Sequence, residues 1–168
     1  MLIKLSADEP SDSEFRVETA SALAPGLCIY VMLGPDMLLK VGMTDNLPRR
    51  ARDLGHHPIV AFYFDGYDRP WTETLEALIL GSLSLWNAAY LEQKYRGHEL
   101  FNVSLNTAIG AVAHHIAYEA SLDTDIRVAV FDPAFEAAIE DAIENAEEYF
   151  EAAEEYGSEH PWPPGERM

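Results

Sequence analysis

Residues 28–50 constrain the fold more than any other stretch of the chain. They read C-I-Y-V-M-L-G-P-D-M-L-L-K-V-G-M-T-D-N-L-P-R-R. Two short apolar runs, 27–33 and 37–41, flank Gly34-Pro35-Asp36. Two β-rich runs around a Gly/Pro/Asp cluster predict an antiparallel hairpin. Gly42 ends the second run, and Thr44-Asp45-Asn46 offers side chains that can cap the first turn of a helix. That helix carries Arg49, Arg50 and Arg52. The unit is strand, turn, strand, helix, with three arginines placed immediately after the second strand.

Further along, Gly55-His56-His57-Pro58 breaks the helix, and residues 59–64 have strand composition. From Trp71 the apolar positions Leu75, Leu78, Ile79, Leu83 and Trp86 step by three and four, which predicts a helix. A short extended piece over 95–101 precedes a second helical stretch, 105–118. Ile126, Val128 and Val130 alternate and predict one more strand. Pro133 suits the first turn of a last helix running to about residue 156, stopped by Gly157 and the prolines 161, 163 and 164. Residues 1–24 are low in apolar density and read as a loosely packed lead-in.

Charge separates these parts. The chain of 168 residues has a formal net charge of −18, yet residues 22–131 hold twelve acids and eight bases, and residues 132–159 hold eleven acids and no base. The excess is concentrated in the last predicted helix. Repulsion of phosphates by such a charge is long-ranged and salt-screened, so it weakens non-specific nucleic-acid binding without forbidding a local cationic site. Three lysines against 29 acids also fit adaptation to a high-salt cytoplasm. No apolar run has membrane-spanning length, residues 1–10 carry no signal-peptide hydrophobic region, and the single cysteine, Cys28, excludes an internal disulfide. The expectation is a cytoplasmic protein.

The hairpin and its helix resemble the GIY-YIG nuclease domain. Cys28-Ile29-Tyr30 stands where that family has G-I-Y, Lys40-Val41-Gly42 where it has Y-I-G, and Arg50 lies eight residues after Gly42, the family's spacing for its catalytic arginine. Leu75-Glu76-Ala77-Leu78-Ile79 matches the helical context of the family's metal-binding glutamate. Lys40-Val41-Gly42 together with Arg96-Gly97-His98-Glu99-Leu100-Phe101 resembles a phage- and bacteria-borne subgroup with K-I-G and R-G-x-E-x-F. The resemblance implies an α+β fold with a small three-stranded, mainly antiparallel sheet flanked by helices, extended by a C-terminal strand and the acidic helix. The divisions are a lead-in over 1–24, the GIY-YIG-like domain over 25–121 and the acidic extension over 122–168.

It also implies a function, metal-dependent DNA endonuclease, with a catalytically degenerate nucleic-acid-binding or acidic regulatory protein as the alternative. Phosphodiester hydrolysis needs an aligned water, a cation for the developing charge and a stabilised leaving group. Glu76 would bind Mg²⁺ or Mn²⁺, Arg50 would hold a phosphate oxygen in its planar fork, and Tyr30 would orient the water or take its proton. Lys40, in place of the second family tyrosine, would assist proton transfer or clamp phosphate. Arg49, Arg52 and Thr44 are candidate DNA contacts. The family's usual His or Tyr four residues after the arginine is Leu54 here, leaving His56 or His57 as a substitute base. Each residue has a plainer reading: Tyr30 as core aromatic, Lys40 as a solvent-facing strand lysine, Arg50 as one of several surface arginines. The acidic helix reads as a solvated amphipathic face, or as a shield over the arginines or a dock for a basic protein.

Overall fold

The computed structural model describes residues 1–8, 11–64, 67–90, 92–95, 99–119 and 124–159. Strand β3 (Pro25–Leu33) is its centre: it runs through the middle of the core and is buried on both faces. Ile29 and Val31 point into the larger apolar cluster, whereas Cys28, Tyr30 and Met32 point into a smaller one on the opposite side. β3 pairs antiparallel with β4 (Leu39–Asn46) and with β5 (His57–Phe64), so the expected hairpin forms with Tyr30 opposite Gly42.

The sheet is larger than the three-stranded one expected. Seven strands run in the order β1-β2-β7-β5-β3-β4-β6, with β1 Leu2–Asp8, β2 Ser11–Thr19, β6 Leu100–Phe101 and β7 Thr124–Val130. The lead-in is an antiparallel hairpin, and its second strand pairs parallel with β7, Phe15 opposite Ile126 and Val17 opposite Val128. Phe15 and Val17 are buried, so burying that one face fixes both strands. β7 in turn pairs antiparallel with β5. The expected extra strand is therefore internal to the sheet, and the mixed seven-stranded architecture replaces the small antiparallel one.

Five α-helices are described: α1 (Leu47–Leu54), α2 (Arg69–Leu83), α3 (Leu105–Glu119), α4 (Glu136–Glu144) and α5 (Ala146–Glu159). Leu75, Ile79 and Leu83 of α2, the alanine-rich face of α3 and Ile139, Ala142 and Ile143 of α4 all join the larger cluster. Leu47 and Ala51 of α1 cover Tyr30 and Met32 on the other side. The single acidic helix expected after Pro133 is two helices, broken at Asn145, whose backbone leaves the helical region (φ −110°, ψ 29°). The second runs through Gly157 to Glu159 rather than ending near 156. α5 packs on α3, away from the face that α1 covers. The helix that was a candidate shield for the arginines thus belongs to the opposite layer. Among the described residues no helix is long and apolar enough to cross a membrane.

The α3–α5 contact depends on one glycine. A Cβ at Gly110 would lie 2.6 Å from the Tyr149 Cβ. The Tyr149 hydroxyl donates to Asp141 at 2.8 Å, and the Asn106 amide donates to Tyr149 and Asp141 at 3.0 and 3.2 Å, tying α5 to α3 and α4. Gly110→Ala should therefore destabilise the protein by about 1–3 kcal/mol, the usual cost of overpacking. Urea denaturation measures it, and an unchanged midpoint would mean that α5 can shift without loss.

Candidate functional site

The site is built around the place where Tyr30 crosses β4. The Tyr30 ring lies over the backbone of Gly42, its opposite residue, so closely that a Cβ there would stand 2.6 Å from the hydroxyl oxygen and 2.9 Å from Cζ. Glycine is required at 42 by that approach. The hydroxyl itself is fully buried and meets no partner in hydrogen-bond geometry. The Arg50 guanidinium lies beside it, yet burial outweighs that charge and pushes the Tyr30 pKa up to about 12. At neutral pH Tyr30 is a phenol, a donor and not a base.

Arg50 is delivered by the local chemistry of the β4–α1 junction. The Thr44 hydroxyl accepts the Asn46 N–H at 3.1 Å, and the Asn46 side chain caps α1 by accepting the Arg49 N–H at 3.2 Å. Gly55, in the left-handed region at φ 68°, closes the helix by donating to the Ala51 carbonyl. With Leu47 and Ala51 turned to the core, Arg50 is exposed beside Tyr30, and Thr44, Asp45, Asn46, Arg49, Arg50, Asp53 and Leu54 line an open cleft. Thr44 is buried, its hydroxyl already engaged at this junction.

Glu76 reaches the same place from the other side of the sheet. Leu75 and Ile79 hold α2 against the core, which leaves Glu76 half-buried at the rim. Among the described residues β6 pairs with β4 at Leu39 and Lys40 alone. Burial first, then the nearby Glu99 carboxylate, raise the Glu76 pKa, opposed by the Met43 backbone and by Lys40 and Arg50. Lys40, largely covered, donates to Glu99 at 3.2 Å. The structure thus brings Tyr30, Lys40, Arg50 and Glu76 together around the β4 edge and adds Glu99. Its place in the R-G-x-E-x-F string was the only sequence signal for that residue. Arg96, Gly97 and His98 of that string lie outside the described residues.

His56 and His57 are elsewhere. His57 contacts Asp132 at 2.7 Å, in the turn after β7, and His56 lies near Gly34 at the hairpin turn. Neither is among the groups that act on Tyr30 or Glu76. Cys28 is buried, and that burial pushes its thiol up to about 12.

The cations distinguish themselves by their partners. Of the nine described lysines and arginines, seven lie within 4.0 Å of a carboxylate oxygen. Arg49 and Arg52 share Asp53 at 3.8 and 4.0 Å, and Arg69 bridges Asp45 and Glu73. Arg50 and Arg127 are the two without such a pair. Each instead lies against a tyrosine: Arg50 against the Tyr30 hydroxyl, Arg127 over the Tyr63 ring at 4.5 Å from its centroid.

The model of one protein family, the T5orf172 domain, matches residues 27–115, from β3 into α3. The chain belongs to the T5orf172 domain family. This corrects the GIY-YIG assignment: the stretch that carries Tyr30, Lys40, Arg50 and Glu76 matches a distinct family. The departures from the GIY-YIG triplets, Cys28 for glycine and Lys40 for tyrosine, fall in the two strands that frame the site. T5orf172 domains are nuclease-like and associated with DNA, which is compatible with a nuclease or DNA-binding role. No curated protein and no solved structure matches the chain. The matched T5orf172 segment contains all five residues of the cluster but not β1, β2, β7 or the acidic helices.

The Glu76 environment has a pH signature. Its folded-state pKa is raised, so between the ordinary carboxylate value of 4.5 and the raised one the native state holds more protons than the unfolded chain. Stability due to this group therefore falls as pH rises through that window. Glu76→Gln keeps the size and shape of the side chain and removes the charge. We expect the variant to melt higher than wild type at pH 7 without divalent cations, and the difference to vanish below the ordinary range. Thermal melts across pH measure it; equal melting temperatures at pH 7 would mean that the carboxylate is not penalised.

Proposed function

We propose that the chain is a divalent-metal-dependent DNA endonuclease that hydrolyses phosphodiester bonds at the Tyr30–Arg50–Glu76 cluster. The observation that supports this most is the pairing of an arginine lacking a carboxylate partner with a buried, unpartnered phenol, next to a half-buried glutamate. An acidic chain that neutralises most of its described cations leaves this guanidinium available to a phosphate group, with the Tyr30 ring beneath it.

The donor set suits Mg²⁺ or Mn²⁺ at the level such ions need. Among the described residues no group of three or more His, Cys, Asp or Glu comes together. Mg²⁺ is held by one or two carboxylates and keeps several waters, and Glu76 with Glu99 supplies two. Bound there, the metal would supply charge neutralisation at the phosphate and a more acidic water. The chain's own groups do the rest. Arg50 grips non-bridging oxygens with its fork and meets the charge that develops on them. Tyr30, protonated, donates its hydrogen and fixes the orientation of water or phosphate. Lys40 holds Glu99 in place and adds positive charge. Arg49 and Arg52, screened by Asp53, contribute to general attraction of the backbone.

Plasmid nicking with Mg²⁺ or Mn²⁺ tests the reading. Arg50→Lys should lower cleavage by roughly 100-fold or more, the usual cost of one lost transition-state contact, while Arg49→Lys does little. Glu76→Ala should abolish metal-dependent cleavage while the protein stays folded. Equal losses at Arg49 and Arg50, or undiminished nicking by Glu76→Ala, would overturn it. Tyr30→Phe, which keeps the ring over Gly42, should slow turnover more than it weakens DNA binding, as seen by comparing nicking rates with anisotropy titrations. A wild type that binds DNA in a salt-dependent way and never nicks it would leave a binding domain without catalysis.

A further inference from the structure

Arg127 repeats, in a strand outside the family segment, the arrangement that sets Arg50 apart. It is exposed, it lies against a tyrosine, and among the described residues it and Arg50 are the lysines and arginines with no carboxylate within ion-pair distance. Its ring platform is fixed, because the Tyr63 hydroxyl donates to the Ala24 carbonyl at 2.8 Å. A guanidinium stacked on an anchored ring is held in place while its N–H groups stay free. Two acids along this row are committed to other arginines, Asp125 to Arg16 at 3.6 Å and Asp45 to Arg69 at 3.3 Å, while Glu18 on β2 stands diagonal to Arg127 beyond ion-pair distance.

The strand register places Arg127 relative to the cleft. Arg127 stands opposite Tyr63, Tyr63 opposite Cys28, and Cys28 opposite Thr44, which lines the Arg50 cleft. Residues directly opposite one another point to the same face, so this row crosses the sheet on the side that α1 covers. Three strand spacings separate Arg127 from Thr44, about 15 Å, a distance that several consecutive phosphates of one DNA strand span. α1 packs on β3 and β4; at the other end of the row Leu23 and Ala24 pack beside the buried Tyr63, and Arg127 itself is exposed.

We propose that Arg127 is a second phosphate-contact residue, extending the DNA path from the Arg50 cleft to the exposed guanidinium on β7. This rests on the reading of the chain as a DNA-binding enzyme and adds to it a contact supplied from outside the T5orf172 segment. Arg16, opposite Arg127 on β2 but paired with Asp125, is the internal control: it has the same charge and a neighbouring position, and it is already neutralised.

The test is fluorescence anisotropy with a short DNA duplex at several salt concentrations, using the full chain as wild type, Arg127→Gln, Arg127→Lys and Arg16→Gln, each checked by thermal melting. Arg127→Gln should weaken binding severalfold at low salt and reduce the slope of log K against log salt by about one, as loss of one phosphate contact does. Arg127→Lys should keep the slope and lose part of the affinity, and Arg16→Gln should change neither. Unchanged affinity and slope in a folded Arg127→Gln, with wild type binding normally, would overturn the assignment of Arg127 alone. A wild type that binds no DNA at any salt would overturn this assignment and the DNA reading together.

Discussion

A central strand buried on both faces is the condition on which the rest depends. Because Ile29 and Val31 need one apolar layer and Cys28, Tyr30 and Met32 need another, helices must cover β3 from both sides. α2 and α3 answer the first demand and α1 the second. That solution puts Glu76 and Arg50 in different layers, with a sheet between them. They act on one another at the rim of β4, where among the described residues the pairing with β6 ends at Lys40 and side chains from both layers can converge. The candidate site is thus a product of edge geometry: two-sided burial supplies the opposing residues, and the rim of β4 lets them meet.

Much of the centre was legible in the sequence, and the reasons are local. The hairpin, the Asn46 cap, α2, α3 and β7 all carry short-range signals of period or turn chemistry. Gly42 was read as a strand terminator; its actual role, making room for the Tyr30 ring, is a cross-strand contact. The lead-in was underread because only one face of it is buried. Phe15 and Val17 do alternate with Glu14, Arg16 and Glu18, but two apolar residues among acids look sparse until a partner strand more than a hundred residues away supplies the pairing. The break at Asn145 was hidden because Ile139, Ala142, Ala146 and Tyr149 continue the helical step across it. Glu99 and Arg127 depend on non-local neighbours, Lys40 and Tyr63, which no spacing along the chain announces.

Charge in this molecule is organised by pairing more than by total. The glutamates of α5 lie in the layer farthest from α1, and the described cations are mostly matched to nearby carboxylates. Such exposed pairs contribute little to stability, but they cancel local field. What remains near the sheet face under α1 is a small number of unmatched guanidiniums. A net charge that looks prohibitive for a nucleic-acid partner is therefore a poor guide to the potential at that face, because short-range pairing and distance both act before the long-range sum is felt.

The place of β7 between β2 and β5 has a consequence for how the chain assembles during synthesis. The β1–β2 hairpin is made before the rest of the sheet, yet the strand it adds to is made more than a hundred residues later. Until β7 emerges and docks on β5, β2 has no edge to join, and Phe15 and Val17 have no core to enter. This early segment of the sheet is among the last to be locked in, by a parallel pairing of large sequence separation, the slowest kind of contact to close. For that interval the nascent chain carries a waiting edge strand, and the acids at positions 12, 14 and 18 give it the charge that discourages pairing with the wrong neighbour.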